Sequence, residues 1–271
     1  MIGIKIGGIS ELLLMALIAS LVFLALFGRF VSPYDPIAID LKNALMGPRA
    51  SYWFGTDELG RDVLSRVLSG ARTSLVASGS IVVIAVIIGG GSGFASGFVG
   101  GLVDAVYMRM LDVVMAFPGL LLALVGVTVF GPGLATAVVA VGISEVPAVA
   151  RLARSVMLTA REQPYVESAR LAGASELAVL LRHLVPNCVG PLVVQASLIA
   201  ADSVLIVAGL GYLGLGAAPP TPEWGAMLSE SQVYLPVAPY LAVFPGAAIL
   251  LTALAFNAAG ERLRVAFRST A

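Results

Sequence analysis

A single histidine, His183, and a single cysteine, Cys188, supply all the imidazole and thiol chemistry available to a chain of 271 residues. One of each cannot build a disulfide or a Cys/His metal cluster, so whatever the chain does is non-metallic. A Ser-His-Asp relay would have to be organised around that one histidine, and His183 reads more naturally as a contact in a helical segment than as a proton carrier. Lysine is as scarce: Lys5 stands between isoleucines and Lys42 between Leu41 and Asn43. A phosphate-binding loop needs Gly-Lys-Ser or Gly-Lys-Thr, so this chain cannot hydrolyse a nucleotide itself. No catalytic residue and no cofactor is assigned to it.

The remaining chemistry lies in charges set among apolar residues. Asp112, Glu145 and Asp202 interrupt long uncharged stretches, and a charge at the centre of a bilayer costs on the order of 2.5 kcal/mol or more. Arg109, Arg151 or Arg154 are in reach to pair with Asp112 and Glu145 near helix ends. Asp202 sits deeper: it lines a translocation path, together with Gln195, or it satisfies a helix contact. A second group, Asp57 with Arg61 and Asp62 with Arg66, places acid before base at a spacing of four. On a helix each such pair contributes roughly 0.2–0.5 kcal/mol, and with Leu59, Val63 and Val67 on one face the spacing predicts an amphipathic helix over Thr56 to Gly70. That helix either contacts a partner or leads into the next span.

Those charges must be positioned by membrane helices. Hydrophobic residues make up 59% of the chain and charged residues 12%, against roughly 45–50% and about 25% in soluble domains. The net charge of zero, with no basic cluster, argues against nucleic acid. A bilayer-crossing helix needs about 20 mostly apolar residues. The uncharged stretches predict an all-α, polytopic protein with six spans: Leu12 to Gly28, Thr73 to Val103, Leu111 to Phe130, Leu134 to Ser155, Cys188 to Leu210 and Val237 to Gly260. No small-x-small cleavage site follows the first, so it is expected to remain as a span rather than leave as a signal peptide. Gly131-Pro132-Gly133 separates the third span from the fourth. Gly89, Gly93, Gly97 and Gly101 recur every four residues, stacking small residues on one face so that another helix can approach closely.

Ten of the sixteen basic residues, Lys5, Arg109, the group from Arg151 to Arg182, Arg262, Arg264 and Arg268, fall on one side of this six-span arrangement. By the positive-inside rule that side is cytoplasmic, with both termini there. The chain divides into an N-terminal segment and first span (1–30), an external loop with an amphipathic helix (31–72) and a transmembrane core (73–265) containing a cytoplasmic segment, 157–187. That segment is polar and helical in pattern. Pro164 suits a first helical turn and Gly173 permits a turn that a Cβ would resist. Ser175 caps a second helix with a stripe of Leu177, Leu180, Leu181 and Leu184, which Pro186 is expected to stop. Two short helices at an angle present an apolar knob with charged edges, suited to docking in a groove.

Glu167-Ser168-Ala169-Arg170, Gly173-Ala174 and His183-Leu184-Val185-Pro186-Asn187 together resemble the EAA signature of ABC importer permeases. Phe54-Gly55-Thr56-Asp57-Glu58-Leu59-Gly60-Arg61-Asp62 resembles the external segment of the C-type membrane subunit of the dipeptide, oligopeptide and nickel transporters. The same holds for Ala116-Phe117-Pro118-Gly119, Gly211-Tyr212-Leu213-Gly214-Leu215-Gly216, Pro220-Thr221-Pro222-Glu223-Trp224-Gly225 and Phe256-Asn257-Ala258-Ala259-Gly260. In order, these motifs cover about residues 30 to 265. Two stretches depart from the family pattern: Val207 to Tyr212 replaces an Ala-Ser-Leu-Ser-Phe type sequence, and Glu261-Arg262-Leu263-Arg264 replaces a Gly-Asp-x-Leu-Arg ending.

The resemblance implies the type I importer permease fold in the bacterial inner membrane. It implies a heterodimer with a second permease subunit, two cytoplasmic subunits that bind ATP and Mg, and an external binding protein that delivers di- or oligopeptides. Nickel, glutathione or other small solutes are carried by related subunits. Glu167, Ala169, Gly173, Ala174, His183, Pro186 and Asn187 would then couple to the ATPase, and Gly55, Thr56, Asp57, Gly60, Arg61 and Asp62 would contact an external partner. The rival reading is an ion-gradient-driven carrier with Asp202 and Glu145 as coupling carboxylates. Such a carrier has no use for the 157–187 segment.

Overall fold

Uncharged runs of this length bury their backbone polar groups only as helices, and the computed structural model, which describes residues 8–268, contains no strand among them. The helices are α1 (Ile9–Val31), α2 (Val63–Ile84), α3 (Gly91–Val99), α4 (Gly101–Met115), α5 (Gly119–Phe130), α6 (Leu134–Arg161), α7 (Pro164–Leu171), α8 (Glu176–Ala178), α9 (Val185–Tyr212), α10 (Trp224–Ser231) and α11 (Tyr240–Arg268). A wide π-helical turn joins α2 to α3 over Ala85–Gly90, and another joins α8 to α9 over Val179–Leu184. Leu12–Val31, Val63–Val99, Leu134–Arg161, Glu176–Tyr212 and Tyr240–Phe267 are each long and apolar enough to cross a membrane. The bent pair α4 and α5 passes the same test taken together and brings the number to six where it forms one broken span. The expected all-α architecture is therefore present, with five to six candidate spans among the described residues; Lys5 lies outside the described residues.

Three boundaries differ from the sequence expectation. The helix foreseen over Thr56 to Gly70 begins only at Val63, because Asp57 accepts hydrogen bonds from the backbone N–H groups of Leu59 and Arg61 at 3.0 and 2.9 Å. That local closure competes with a helical turn, and Asp62 then caps α2 by accepting from Ser65 N at 2.8 Å. The segment is thus the lead-in to span two rather than a separate surface helix. Span three is two helices meeting at 84°, since Pro118 lacks an N–H and disfavours helical backbone at Phe117. Pro186 does not stop the second helix of the 157–187 segment. The wide turn before it accommodates the ring, Asn187 Nδ2 donates to the His183 carbonyl at 2.6 Å, and the helix runs on through a buried Cys188.

The core is centred on α6 and α9. Val141 and Val149 of α6 and Ile199, Val207 and Leu210 of α9 pack with Ile81 of α2 and Val127 of α5. At the end carrying the 31–62 loop, Val63, Val67, Val204, Trp224, Leu241 and Ile249 form a second cluster. At the opposite end Met157, Val166, Val179, Leu184 and Cys188 form a third, beneath α7. Exposed apolar side chains such as Leu13 and Phe23 on α1 and Leu102, Val113 and Phe130 on α4 and α5 mark the periphery.

The glycine stripe does what its spacing implies at three of its four positions. A Cβ on Gly89 would lie 2.7 Å from the Val146 carbonyl oxygen, on Gly93 against the backbone of Ala150, and on Gly97 2.9 Å from the Arg154 carbonyl oxygen. Partners that advance four for four mean that α3 runs parallel to α6 at backbone contact. Gly101 faces open space. Gly93→Val is expected to cost about 1–3 kcal/mol by overpacking, read as a lower melting temperature of the purified protein in detergent, with Gly91→Ala, whose Cβ would meet nothing within 4 Å, as the milder control.

Candidate functional site: the α7–α8 knob, the α9 cleft and the 55–66 knot

The knob is built by a helix end that needs a left-handed residue. α7 closes with Ala174 N donating to the Ala169 carbonyl at 3.1 Å and Gly173 N to the Arg170 carbonyl at 2.9 Å, while Gly173 sits at φ +85°. This paired closure places glycine just past the helix end, which explains Ala169, Gly173 and Ala174 as one device. Ser175 then caps α8 by accepting from Ala178 N at 3.3 Å. Arg170 donates a fork to both oxygens of Glu176 at 2.9 and 3.0 Å, tying the two helices together. Val166, Val179 and Leu184 turn inward onto Met157 of α6. Leu171 is 83% exposed and Leu177 64%, and Glu167 is exposed and unpaired among the described residues. The structure therefore brings Glu167, Ala169, Gly173 and Ala174 together at one turn, with Glu167 and Gly173 exposed and Ala169 and Ala174 half-buried against the Met157 cluster. His183 is half-buried and Pro186 and Asn187 are exposed on the following helix.

Beside this knob a cleft of about 870 Å³ opens at the start of α9, lined by Pro186, Asn187, Pro191, Gln195, Leu198 and Arg264 among others. Gln195 is in it. Asp202, two turns further along α9, is exposed and is not among the cleft's lining residues. Asp112 pairs with Arg151 at 2.8 Å and with Arg109 at 3.7 Å, as foreseen.

At the other end, all six residues of the 55–62 group, Gly55, Thr56, Asp57, Gly60, Arg61 and Asp62, are buried. They form an intramolecular knot. Asp57 Oδ2 accepts from Arg61 Nε and Arg66 Nη1, both at 2.6 Å. Arg66 Nη2 also reaches Glu230 of α10 at 2.8 Å, and Arg61 Nη2 reaches Glu58 at 2.9 Å. The foreseen Asp62–Arg66 pair does not form, because Asp62 is spent on the α2 cap. Burial pushes the Glu58 carboxyl up from its ordinary range, with the Asp57 charge adding to it. Asp57, Glu58 and Glu230 bring carboxylate oxygens within 4.8 Å of one another, but Arg61 and Arg66 already stand among them and supply the positive charge. With their polar groups committed inside the chain, these residues act as scaffold, and it is exposed neighbours such as Trp53 that face outward.

Residues 81–269 match the family described as the binding-protein-dependent transport system inner membrane component. The chain belongs to that family. Over 245 residues it is 47% identical to the glutathione transport system permease protein GsiD of Escherichia coli O6:K15:H31 (strain 536 / UPEC), an overlap covering 90% of this chain and 81% of the relative. The same figures hold for GsiD of Shigella boydii serotype 4 (strain Sb227) and of Escherichia coli O157:H7. The chain is thus an ABC importer permease, and the gradient-driven rival is set aside.

Three acids of this permease were not foreseen as structural groups. Glu223 is almost wholly buried, caps α10 through Gly225 N and Ala226 N at 2.8 Å each, and accepts from Ser74 Oγ at 3.3 Å. Burial pushes its carboxyl up. The Pro-Thr-Pro-Glu-Trp-Gly motif carries a signal for it, in that a Glu precedes a helix-forming run. Glu230 and Asp104 carry no such signal, since their partners lie 164 and 50 residues away.

Proposed function

We propose that this permease forms, with a sister subunit, the translocation path of an ATP-driven importer for short peptides, glutathione among them. The observation that carries this reading is the knob around Gly173, whose exposed leucines and free Glu167 suit a groove in an ATP-hydrolysing partner, in a chain nearly half identical to glutathione permeases. ATP and Mg are held by two such partners. Solute handed over by an external binding protein enters between the two permeases, and partner closure at Glu167, Ala169, Gly173, Ala174, His183, Pro186 and Asn187 changes which side the path faces. Gln195 and Asp202 lie along that path. In this arrangement α7 and both termini face the cytoplasm and the 31–62 loop faces outward, as the arginine distribution implies.

The deciding test is reconstitution of the assembly in vesicles containing ATP, with binding protein and labelled glutathione outside. Uptake is expected to require ATP and to survive a protonophore. Uptake that persists without ATP and collapses with the protonophore would overturn the reading. For orientation, cysteines introduced singly in intact cells are expected to react with an impermeant reagent at Asn43 and to be protected at Arg161 and Arg268; labelling at 161 or 268 would reverse the topology.

A further inference from the structure

The elbow between α3 and α4 is fastened to α6 by charge rather than by apolar packing. Gly100 and Gly101, at φ +70° and +65°, turn the chain back on itself. Asp104 in the first turn of α4 is 6% exposed. Its two oxygens receive the fork of Arg154, Nε on Oδ1 and Nη2 on Oδ2, each at 2.5 Å. Ser96 Oγ of α3 also donates to Oδ1 at 2.5 Å. One turn of helix beyond Met157, Arg161 Nη1 donates to the Gly97 carbonyl at 2.8 Å. Along the whole of α4 only Asp104 and Leu111 are buried; the other ties of this helix are the half-exposed Asp112–Arg151 pair to α6 and the Tyr107 hydroxyl donated to Ser92 of α3, so the fork is its one buried ionic attachment. Arg154 and Arg161 belong to the last turns of α6, which passes through Glu162 and Gln163 directly into α7 and the knob.

We propose that the Asp104–Arg154 fork is a positioning pair for transport, which makes the α3–α4 elbow, and with it the bent third span, move together with α6 when an ATPase partner shifts the knob. This rests on the proposed docking at the knob. A fork of two parallel hydrogen bonds fixes orientation as well as distance, and the glycine elbow lets α4 change its angle to α3 if the fork is open. With the fork closed, α3, α4 and α6 are one body. Without it, α3 still follows α6 through the glycine stripe, but α4 is left on the half-exposed Asp112–Arg151 pair and its angle to α6 is no longer fixed.

The test uses the assembled, reconstituted transporter and reads glutathione taken up per ATP hydrolysed. A single change such as D104N leaves an uncompensated arginine and can fail through misfolding, whereas D104N/R154Q removes both charges and with them the desolvation penalty. The double variant is expected to assemble and hydrolyse ATP while uptake per ATP falls about tenfold, the size of a typical coupling free energy. R154K keeps the charge but loses the fork, and its ratio is expected to fall by a smaller factor, about threefold on the same scale. A wild-type ratio in an assembled double variant overturns the proposal. Where the double variant does not assemble, R154K decides, and an unchanged ratio there overturns it too.

A wild-type assembly that hydrolyses ATP but takes up no glutathione refutes the solute and not the fork. The fork is then read from spin labels at Val106 and Thr159, both exposed on α4 and α6. Their separation is expected to stay constant between nucleotide-free and vanadate-trapped wild type and to change in R154K. Equal behaviour of the two overturns the fork.

Discussion

Gly173→Pro is expected to abolish solute uptake while the protein still inserts and accumulates in the membrane. The residue holds φ +85°, and proline is locked near −65° with no N–H to give, so both the turn and the bond from Gly173 N to the Arg170 carbonyl are lost. The cost of about 3 kcal/mol falls on the shape of the knob rather than on the span core, because Gly173 is exposed with nothing within 4 Å of the position its Cβ would take. Taken as an equilibrium between shaped and misshapen knob, that energy is about two orders of magnitude in docking-competent population. Glu167→Lys reverses an exposed, unpaired charge without disturbing the turn, and is expected to weaken docking with the fold intact. Co-purification of the ATPase and uptake are measured together on both variants. Normal assembly and normal uptake in both would show that the coupling site lies elsewhere.

Arg66→Ala is expected to have the opposite signature, loss of the protein itself. Arg66 is 2% exposed and stands between Asp57 and Glu230, at 2.6 and 2.8 Å. Removing one partner from a buried network leaves the others as uncompensated charge, at about 3–5 kcal/mol. That is a large share of the roughly 5–15 kcal/mol by which folded proteins are stable. The knot ties the 55–62 loop and α2 to α10 through Glu230, so its failure loosens the hold on α10 as well. The variant is expected to accumulate poorly, with a low melting temperature in detergent. Asp62→Ala, which removes the α2 cap and the acceptor of the Ser65 hydroxyl but breaks no ion pair, is expected to cost about 0.5–2 kcal/mol. A stable Arg66→Ala protein would mean that the knot is solvated rather than sealed.

The membrane-spanning helices and the shape of the knob were legible in the chain because each rests on local rules. An uncharged run forces a helix wherever water is excluded, a glycine-proline cluster breaks one, and Pro164, Gly173 and Ser175 announce helix ends within a few residues of where they act. Even the glycine stripe needed no partner to be read, since a period of four specifies a face. The 55–66 group misled for a related reason. Acid and base four apart suit a helix, yet Asp57 has a nearer use in closing its own turn, and local side-chain bonds compete with helix formation on equal terms.

The tertiary structure alone decided which charge meets which. Arg66 reaches Glu230 across 164 residues and Arg154 reaches Asp104 across 50, and no spacing rule operates over such separations. It also decided that the 55–62 residues face inward and that α4 is held to α6 by ion pairs, the buried one at Asp104. Burial and long-range pairing are properties of assembled helices, and composition and periodicity carry only which segments become helices and which faces they prefer.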